Sequence, residues 1–146
     1  MSRKSVAQIP MSFSDEYHCV SEYLQCHKIV LDRGSHYSVT GGKVLSREEV
    51  KQFLKKVKKD KKYAAATHNS WAARISRDGA VFETKSDDGE TGAGQVILHQ
   101  LRKKQIVDVI VVVTRWFGGT KLQADRFRHL QDAARYFIEK EKKHSL

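Results

Sequence analysis

Apolar residues recur at intervals of three and four in three stretches of the chain, and this spacing places them on one face of a helix. The predicted helices span residues 46–60, 92–105 and 125–140. The first begins with a capping box, because the Ser46 hydroxyl can accept a hydrogen bond from a first-turn amide while Glu49 reaches back. Its opposite face is rich in lysine, so we expect one side to be buried and the other to be solvated.

Strand patterns fill the segments before and after the first helix. Residues 28–39 are typical of two strands joined by a turn near Gly34-Ser35. Gly41-Gly42 predicts a second break in the chain. Residues 63–75 are rich in small side chains and predict a further strand.

Two more signals complete the predicted sheet. Asp78-Gly79 favours a tight hairpin. Val109–Val113 is an unbroken apolar run, which is typical of a strand covered on both faces. The order β-β-α-β-β-α-β-α and the length of 146 residues predict one α+β domain. We expect a two-layer α/β sandwich, with a mixed sheet and the helices on one of its faces.

The charge balance narrows the classes of partner. The chain carries 27 basic and 17 acidic residues, for a formal net charge of +10. A surplus of this size favours contact with nucleic acid, ribosomes or acidic proteins. Four lysines of the first predicted helix form either a nucleic-acid-binding face or a merely solvated one. This lysine face consists of Lys51, Lys55, Lys58 and Lys59.

Hydropathy and cysteine content argue against a membrane-spanning protein and against a disulfide scaffold. No apolar run reaches the roughly 18 residues that a membrane span needs. Two cysteines do not suggest a disulfide scaffold. Cys19 and Cys26 lie beside His18 and His27, but their spacing matches no common zinc pattern. We predict reduced thiols, no metal site, no cofactor and no membrane partner, in a cytoplasmic protein that also has access to the nucleus.

An acidic turn precedes the second predicted helix, where three carboxylates fall within four residues at Asp87, Asp88 and Glu90. Negative charge at this helix end would repel a phosphate, and the pattern GxxxxGK[ST] is absent, so a P-loop is not expected. One carboxylate can stabilise a helix N-terminus through its dipole, and Thr91 is a second candidate cap. The surplus acid leaves a catalytic pair, a metal site, a docking patch and an elaborate cap as alternatives.

A second unusual stretch, TRWFGGTKL at residues 114–122, follows the buried strand. Gly118 and Gly119 permit positive φ and expose backbone amides, and Arg115 and Lys121 flank them with charge. We call residues 117–122 the glycine loop. We predict that Arg115 pairs with one of the two aspartates of the acidic turn, so that a bidentate ion pair ties the two loops together.

Three stretches together resemble the signature of the IMPACT family: ATHNSWAARI, DDGETGAGQVILHQL and VIVVVTRWFGGTKLQADRF. Their order and spacing match over residues 28–138. The chain departs from the family pattern at Gln123-Ala124, where Gly-Pro is expected.

The resemblance implies an α/β sandwich related to domain four of the translocating elongation factor and to the second domain of small-subunit ribosomal protein five. It also implies a role in translational control. Eukaryotic members compete for the activator of the starvation-sensing kinase that phosphorylates initiation factor two. Carried over position by position, the binding surface of the family comprises His68, Asn69, Asp87, Asp88, Glu90, Arg115, Gly118, Gly119 and Lys121.

We expect an N-terminal arm at 1–27, an IMPACT-type domain at 28–140 and a basic tail at 141–146. Neither an RWD domain nor a C-terminal ferredoxin-like domain is expected beside them. Three functions remain open. The chain is a non-enzymatic adaptor that binds a protein or the ribosome in translational control, an RNA-binding domain, or a hydrolase that uses the acidic turn with His68.

Overall fold

The computed structural model describes residues 20–145, with side chains through Lys142. Residues 1–19, which include most of the predicted arm together with His18 and Cys19, lie outside the described residues. The described chain forms five strands and four helices. Their bounds are β1 Leu24–Asp32, β2 Ser35–Lys43, α1 Arg47–Lys59, α2 Lys61–Ala64, β3 His68–Arg77, β4 Ala80–Ser86, α3 Ala93–Lys103, β5 Val109–Trp116 and α4 Asp125–Ser145.

The strands form one sheet in the order β1-β2-β5-β3-β4. Every neighbouring pair is antiparallel. The α+β class is therefore confirmed, whereas the prediction of a mixed sheet is wrong. Each of the two hairpins joins consecutive strands and so forms an antiparallel pair. β5 lies between the hairpins and runs opposite to both of its neighbours.

Helices cover both faces of the sheet, so the prediction of two layers with all helices on one face is also wrong. Val109, Val111 and Val113 of β5 join a core with α3 and α4. Ile110 and Val112 point the other way and join a second core with α1 and α2. Because successive strand side chains alternate between faces, an unbroken apolar run already requires cover on both sides.

The local signals for the first helix and the second hairpin are confirmed. Ser46 Oγ accepts from the Glu49 amide at 3.1 Å, and Glu49 Oε1 accepts from the Leu45 amide at 2.7 Å. Asp78 and Gly79 both adopt positive φ, at 52° and 80°. This conformation matches a two-residue hairpin turn of the primed type.

Gly41 and Gly42 do not break the chain, as the sequence suggested, but lie within β2. A Cβ on Gly41 would lie 2.4 Å from the Phe137 ring, and one on Gly42 would lie 2.2 Å from the Glu22 carbonyl oxygen. Glycine is required here because neighbouring groups approach the strand backbone closely.

Three element boundaries differ from the prediction by four or five residues. The first strand begins at Leu24 and not at residue 28. The strand expected at 63–75 starts at His68, because Asp60 caps a short helix, α2, through a 2.9 Å bond from the Lys62 amide. The last helix continues from 140 to Ser145. Its Glu141 is buried and accepts from both the amide and the hydroxyl of Ser21, at 3.0 and 3.1 Å.

Sheet register brings the predicted site residues to one edge. Arg115, near the end of β5, pairs with Tyr37 of β2 on one side and with His68 of β3 on the other. The acidic turn joins β4 to α3, and the glycine loop joins β5 to α4. The chain therefore presents two loops and the start of β3 at the same end of the sheet.

Candidate functional site

Asp87 caps α3 from outside the helix. Its Oδ2 accepts from the Gly92 amide at 3.0 Å, and its Oδ1 accepts from the Gly94 amide at 2.8 Å. These two amide bonds lower the pKa of the Asp87 carboxyl below its ordinary value. The prediction that one aspartate caps the helix is confirmed. Thr91 does not supply the cap, because the N-cap residue is Gly92, at a φ of 86°.

Asp88 ties the acidic turn to the start of β3. Its Oδ2 accepts from the Asn69 amide at 2.7 Å, and its carbonyl oxygen lies 2.9 Å from His68 Nδ1. The Asn69 side chain continues the network, donating to the Tyr63 carbonyl at 3.0 Å and accepting from the Thr114 hydroxyl at 2.6 Å. These bonds occupy both Asp88 and Asn69 in holding the turn in place.

Glu90 is the acid that pairs with Arg115. Its Oε2 lies 2.7 Å from Arg115 Nη1, and the side chains of Glu90 and Arg115 are only 2% and 6% exposed. The prediction that Asp87 or Asp88 forms this pair is therefore wrong. Both aspartates already accept from backbone amides, and Glu90 has the longer side chain that reaches β5.

The buried pair has further neighbours and unused bonding capacity. Arg126 Nη1 lies 3.7 Å from Glu90 Oε2, and the Arg115 guanidinium lies 5.5 Å from the centre of the Tyr37 ring. Burial raises the pKa of Tyr37 to about 12, so its phenol stays neutral. Glu90 Oε1 and Arg115 Nε have no hydrogen-bond partner among the described residues. Removing Glu90 would take away the ion-pair partner of the buried Arg115, and removing Arg115 would leave Glu90 only the more distant Arg126.

The glycine loop packs against the turn between β1 and β2. A Cβ on Gly118 would lie 2.0 Å from the carbonyl carbon of Gly34, so this contact admits only glycine. The Gly118 amide also donates to Ser35 Oγ at 3.0 Å. Gly119 adopts a φ of 95°, and a Cβ added there would have no atom within 4 Å. Thus Gly118 serves packing, while Gly119 serves the turn itself.

A pocket of about 370 Å³ lies between the acidic turn, the glycine loop and the start of α4. Four of the predicted surface residues line it: His68, Glu90, Arg115 and Lys121. The other predicted residues, which are Asn69, Asp87, Asp88, Gly118 and Gly119, do not line this pocket. Asp87, Asp88 and Asn69 hold the acidic turn, and the two glycines shape the glycine loop.

Sequence reasoning missed some of the pocket lining, namely Thr67, Gly89, Thr91, Leu122, Gln123 and Arg126. Phe117 also lines the pocket, and its side chain is 47% exposed. Arg126 had a usable signal, since it is a cation in the first turn of the last predicted helix. The position of Thr67 depends on Phe117, whose amide donates to Thr67 Oγ1 at 2.9 Å.

The lysine face is separate from this pocket. All four of its lysines are exposed, and α1 buries Val50, Phe53 and Val57 on the opposite side. Within residues 20–142, none of the four forms an ion pair.

Cys26 and His27, the described members of the cysteine–histidine cluster, lie on β1. Burial raises the pKa of the Cys26 thiol. His27 Nδ1 lies 2.8 Å from the Tyr63 hydroxyl. In the part of the chain that the structure describes, no group of three or more metal-binding side chains is arranged to hold an ion. None of the described helices is long and apolar enough to cross a membrane.

The sequence matches the model of the Impact N-terminal domain over residues 33–138. The chain therefore belongs to the Impact N-terminal domain family, as the resemblance predicted. Among its relatives are the Protein IMPACT homolog of Saccharomyces cerevisiae, 41% identical over 73% of this chain and 42% of the relative, and Protein IMPACT of Oryctolagus cuniculus, 41% identical over 75% and 35%. The chain thus spans less than half the length of these relatives.

Two solved structures agree with the fold. The two-domain translational regulator Yih1 is 33% identical, with a TM-score of 0.53 over 97% of this chain and 53% of that protein. A hypothetical protein of 22% identity has a TM-score of 0.62 over 84% of this chain and 61% of its own. At that identity, the second likeness concerns the fold alone.

Proposed function

We propose that this chain acts in translational control by binding a protein partner or the ribosome, rather than by catalysis. The relatives include a translational regulator. The observation that carries the proposal is the buried Glu90–Arg115 pair, which joins the acidic turn to the end of β5 beside an open pocket. Such a pair fixes the acidic turn relative to the end of β5, and a fixed surface loses less entropy on binding.

The acidic turn itself gives no support to the hydrolase alternative. Asp87 and Asp88 accept from backbone amides, and Glu90 pairs with a buried arginine. A general base must be free to reach a reacting proton. The turn therefore uses its carboxylates to hold its own shape.

The first partner to test is the activator of the starvation-sensing kinase that phosphorylates initiation factor two, in the cytoplasm or the nucleus. The immobilised chain is incubated with lysate, with and without nuclease, and the bound fraction is immunoblotted for the activator and for ribosomal proteins. We expect at least one of the two to be retained above a bare-resin control. Retention of neither would contradict the proposal.

Direct RNA binding through the lysine face is a second candidate, favoured by the four exposed lysines that form no ion pair within residues 20–142. Binding through these lysines should weaken with salt, with a log–log slope of about −0.7 per phosphate contact on single strands. Changing all four to glutamate should abolish it while leaving the melting temperature unchanged. Salt-independent binding would count against this face.

A further inference from the structure

We propose that the pocket at the end of the sheet binds one nucleotide of a single-stranded RNA, with its base stacked on Phe117 and its phosphate beside Lys121 and Arg126. This inference rests on the proposed binding function, and it specifies the chemistry of the partner at this pocket. It concerns a surface distinct from the lysine face of α1.

The size and walls of the pocket suit a base. Its volume of about 370 Å³ lies within the range of roughly 300–1,000 Å³ that is common for small-ligand sites. Leu122, only 2% exposed, contributes an apolar wall, and Phe117 presents a half-exposed aromatic ring. Aromatic side chains of this kind stack on nucleobases, and every base offers a face for such stacking.

The charge that remains at the pocket is positive. Glu90 is the one acid among the described lining residues, and it pairs with Arg115 at 2.7 Å and with Arg126 at 3.7 Å, so that three cations of the lining, with Lys121, face one carboxylate. Lys121 is exposed and forms no ion pair within residues 20–142, and Arg126 is held in place by a 3.3 Å bond to the Thr91 carbonyl. Two such cations beside an apolar wall attract an anion that carries a flat apolar group.

A nucleotide fits this combination better than an acidic peptide does. A glutamate or aspartate side chain would use the two cations but would add no flat apolar group to the Phe117 ring, whose centre lies 5.6 Å from the Arg115 guanidinium. A nucleotide instead supplies a phosphate for the two cations and a base that can stack on Phe117.

The surface next to the pocket offers a path for neighbouring phosphates. Trp116, the residue before Phe117, donates from Nε1 to the Lys62 carbonyl at 3.1 Å. This bond holds α2, with its exposed Lys61 and Lys62, at the same end of the sheet. The His36 ring stacks on Trp116, with 4.8 Å between the ring centres. Trp116 packs with the core of α1 and α2, so these groups lie around the end of the sheet from the pocket, on its other face.

The test is fluorescence anisotropy of the full chain with a labelled single-stranded RNA of about ten nucleotides, a length within the usual site sizes. We expect Phe117→Ala to weaken binding about tenfold or more, through loss of stacking. Lys121→Glu should weaken it and should reduce the salt slope by about 0.7. The matched controls are Tyr136→Ala, another exposed aromatic, and Lys103→Glu, an equal charge change at the far end of α3, and both should stay within about twofold of the parent.

A second readout is ultraviolet crosslinking of the same RNA, followed by mass spectrometry of the peptides. Crosslinks at Phe117 or Trp116 are expected. The inference is overturned if Phe117→Ala and Lys121→Glu bind RNA as the controls do, or if the parent binds none at low salt. If RNA binding fails in this way while capture of the kinase activator is lost in Lys121→Glu, the pocket is a peptide site and the proposed function stands. If neither RNA nor protein retention depends on these residues, both proposals fail at this surface.

Discussion

Arg115 and Glu90 form a buried ion pair across the end of the sheet, with Nη1 and Oε2 2.7 Å apart. The pair connects a strand in the middle of the sheet to a turn that lies 25 residues earlier in the chain. Buried pairs of this kind are weak sources of net stability, but removing one partner is costly. Here the pair fixes the acidic turn against β5 beside the pocket.

We expect Arg115→Gln to lower the free energy of unfolding by about 3–5 kcal/mol, because it leaves the buried Glu90 carboxylate with only the more distant Arg126, at 3.7 Å. A double-mutant cycle with Glu90→Gln, measured by urea denaturation, should give a coupling energy of about 0.5–3 kcal/mol. Arg128→Gln is the matched control at an exposed ion pair and should cost at most about 1 kcal/mol. A coupling energy near zero between Arg115 and Glu90 would show that the pair does not organise this surface.

Asp87→Asn should remove the negative charge at the start of α3 and turn one of the two accepting oxygens into a donor, at a cost of about 1–2 kcal/mol at neutral pH. The folded pKa of Asp87 is depressed by the Gly92 and Gly94 amides. Its contribution is therefore present above the ordinary pKa and is lost as the pH falls through the folded pKa. Urea denaturation across this range should show the parent and Asp87→Asn converging in acid. Asp132→Asn, at an exposed helix position, should show no such convergence, and a difference that persists below the folded pKa would contradict the cap.

Gly118→Ala should destabilise the fold by about 1–3 kcal/mol, because its Cβ would meet the backbone of Gly34 at 2.0 Å. Gly119→Ala is the matched control in the same loop. It meets no atom within 4 Å, so its cost of about 1 kcal/mol comes from its positive φ alone. In thermal melts, Gly118→Ala should have a lower melting temperature than Gly119→Ala. The reverse order would mean that the glycine loop does not rest on the β1–β2 turn.

Val111→Asp and Val112→Asp should each unfold the domain, because both side chains are fully buried and an unpaired buried charge costs several kcal/mol. The two residues face different helix layers, so the pair tests both cores. The measurement is a thermal melt of each variant, followed by circular dichroism. Parent-like melting of either variant would mean that its side of the sheet is not a packed core.

Local signals were sufficient to predict most of the elements. The capping box predicted at Ser46 and Glu49 is confirmed, because both partners lie within one helical turn. The identity of the acid paired with Arg115 was not predictable in the same way. Three acids lay within reach along the sequence, and the choice depended on which of them the amides of Asn69, Gly92 and Gly94 had already engaged.

Long-range contacts explain the other errors. Gly41-Gly42 resembles a loop in the sequence, but Phe137, almost a hundred positions later, is the group that requires glycine at Gly41. The strand directions and the second helix layer likewise depend on the position of β5 in the sheet. No local sequence pattern predicts that position. The unbroken apolar run at Val109–Val113 did indicate cover on both faces, and the structure confirms that part.

The central claim is that this domain meets its partner in translational control at the pocket between the acidic turn and the glycine loop. The most direct measurement is quantitative immunoblotting of the kinase activator and ribosomal proteins retained by the immobilised chain. The parent is compared with Phe117→Ala/Lys121→Glu and with the variant in which Lys51, Lys55, Lys58 and Lys59 are all glutamate. The account predicts that retention is lost in the pocket variant and persists in the lysine-face variant. Full retention by a folded pocket variant, with loss in the lysine-face variant, would contradict it.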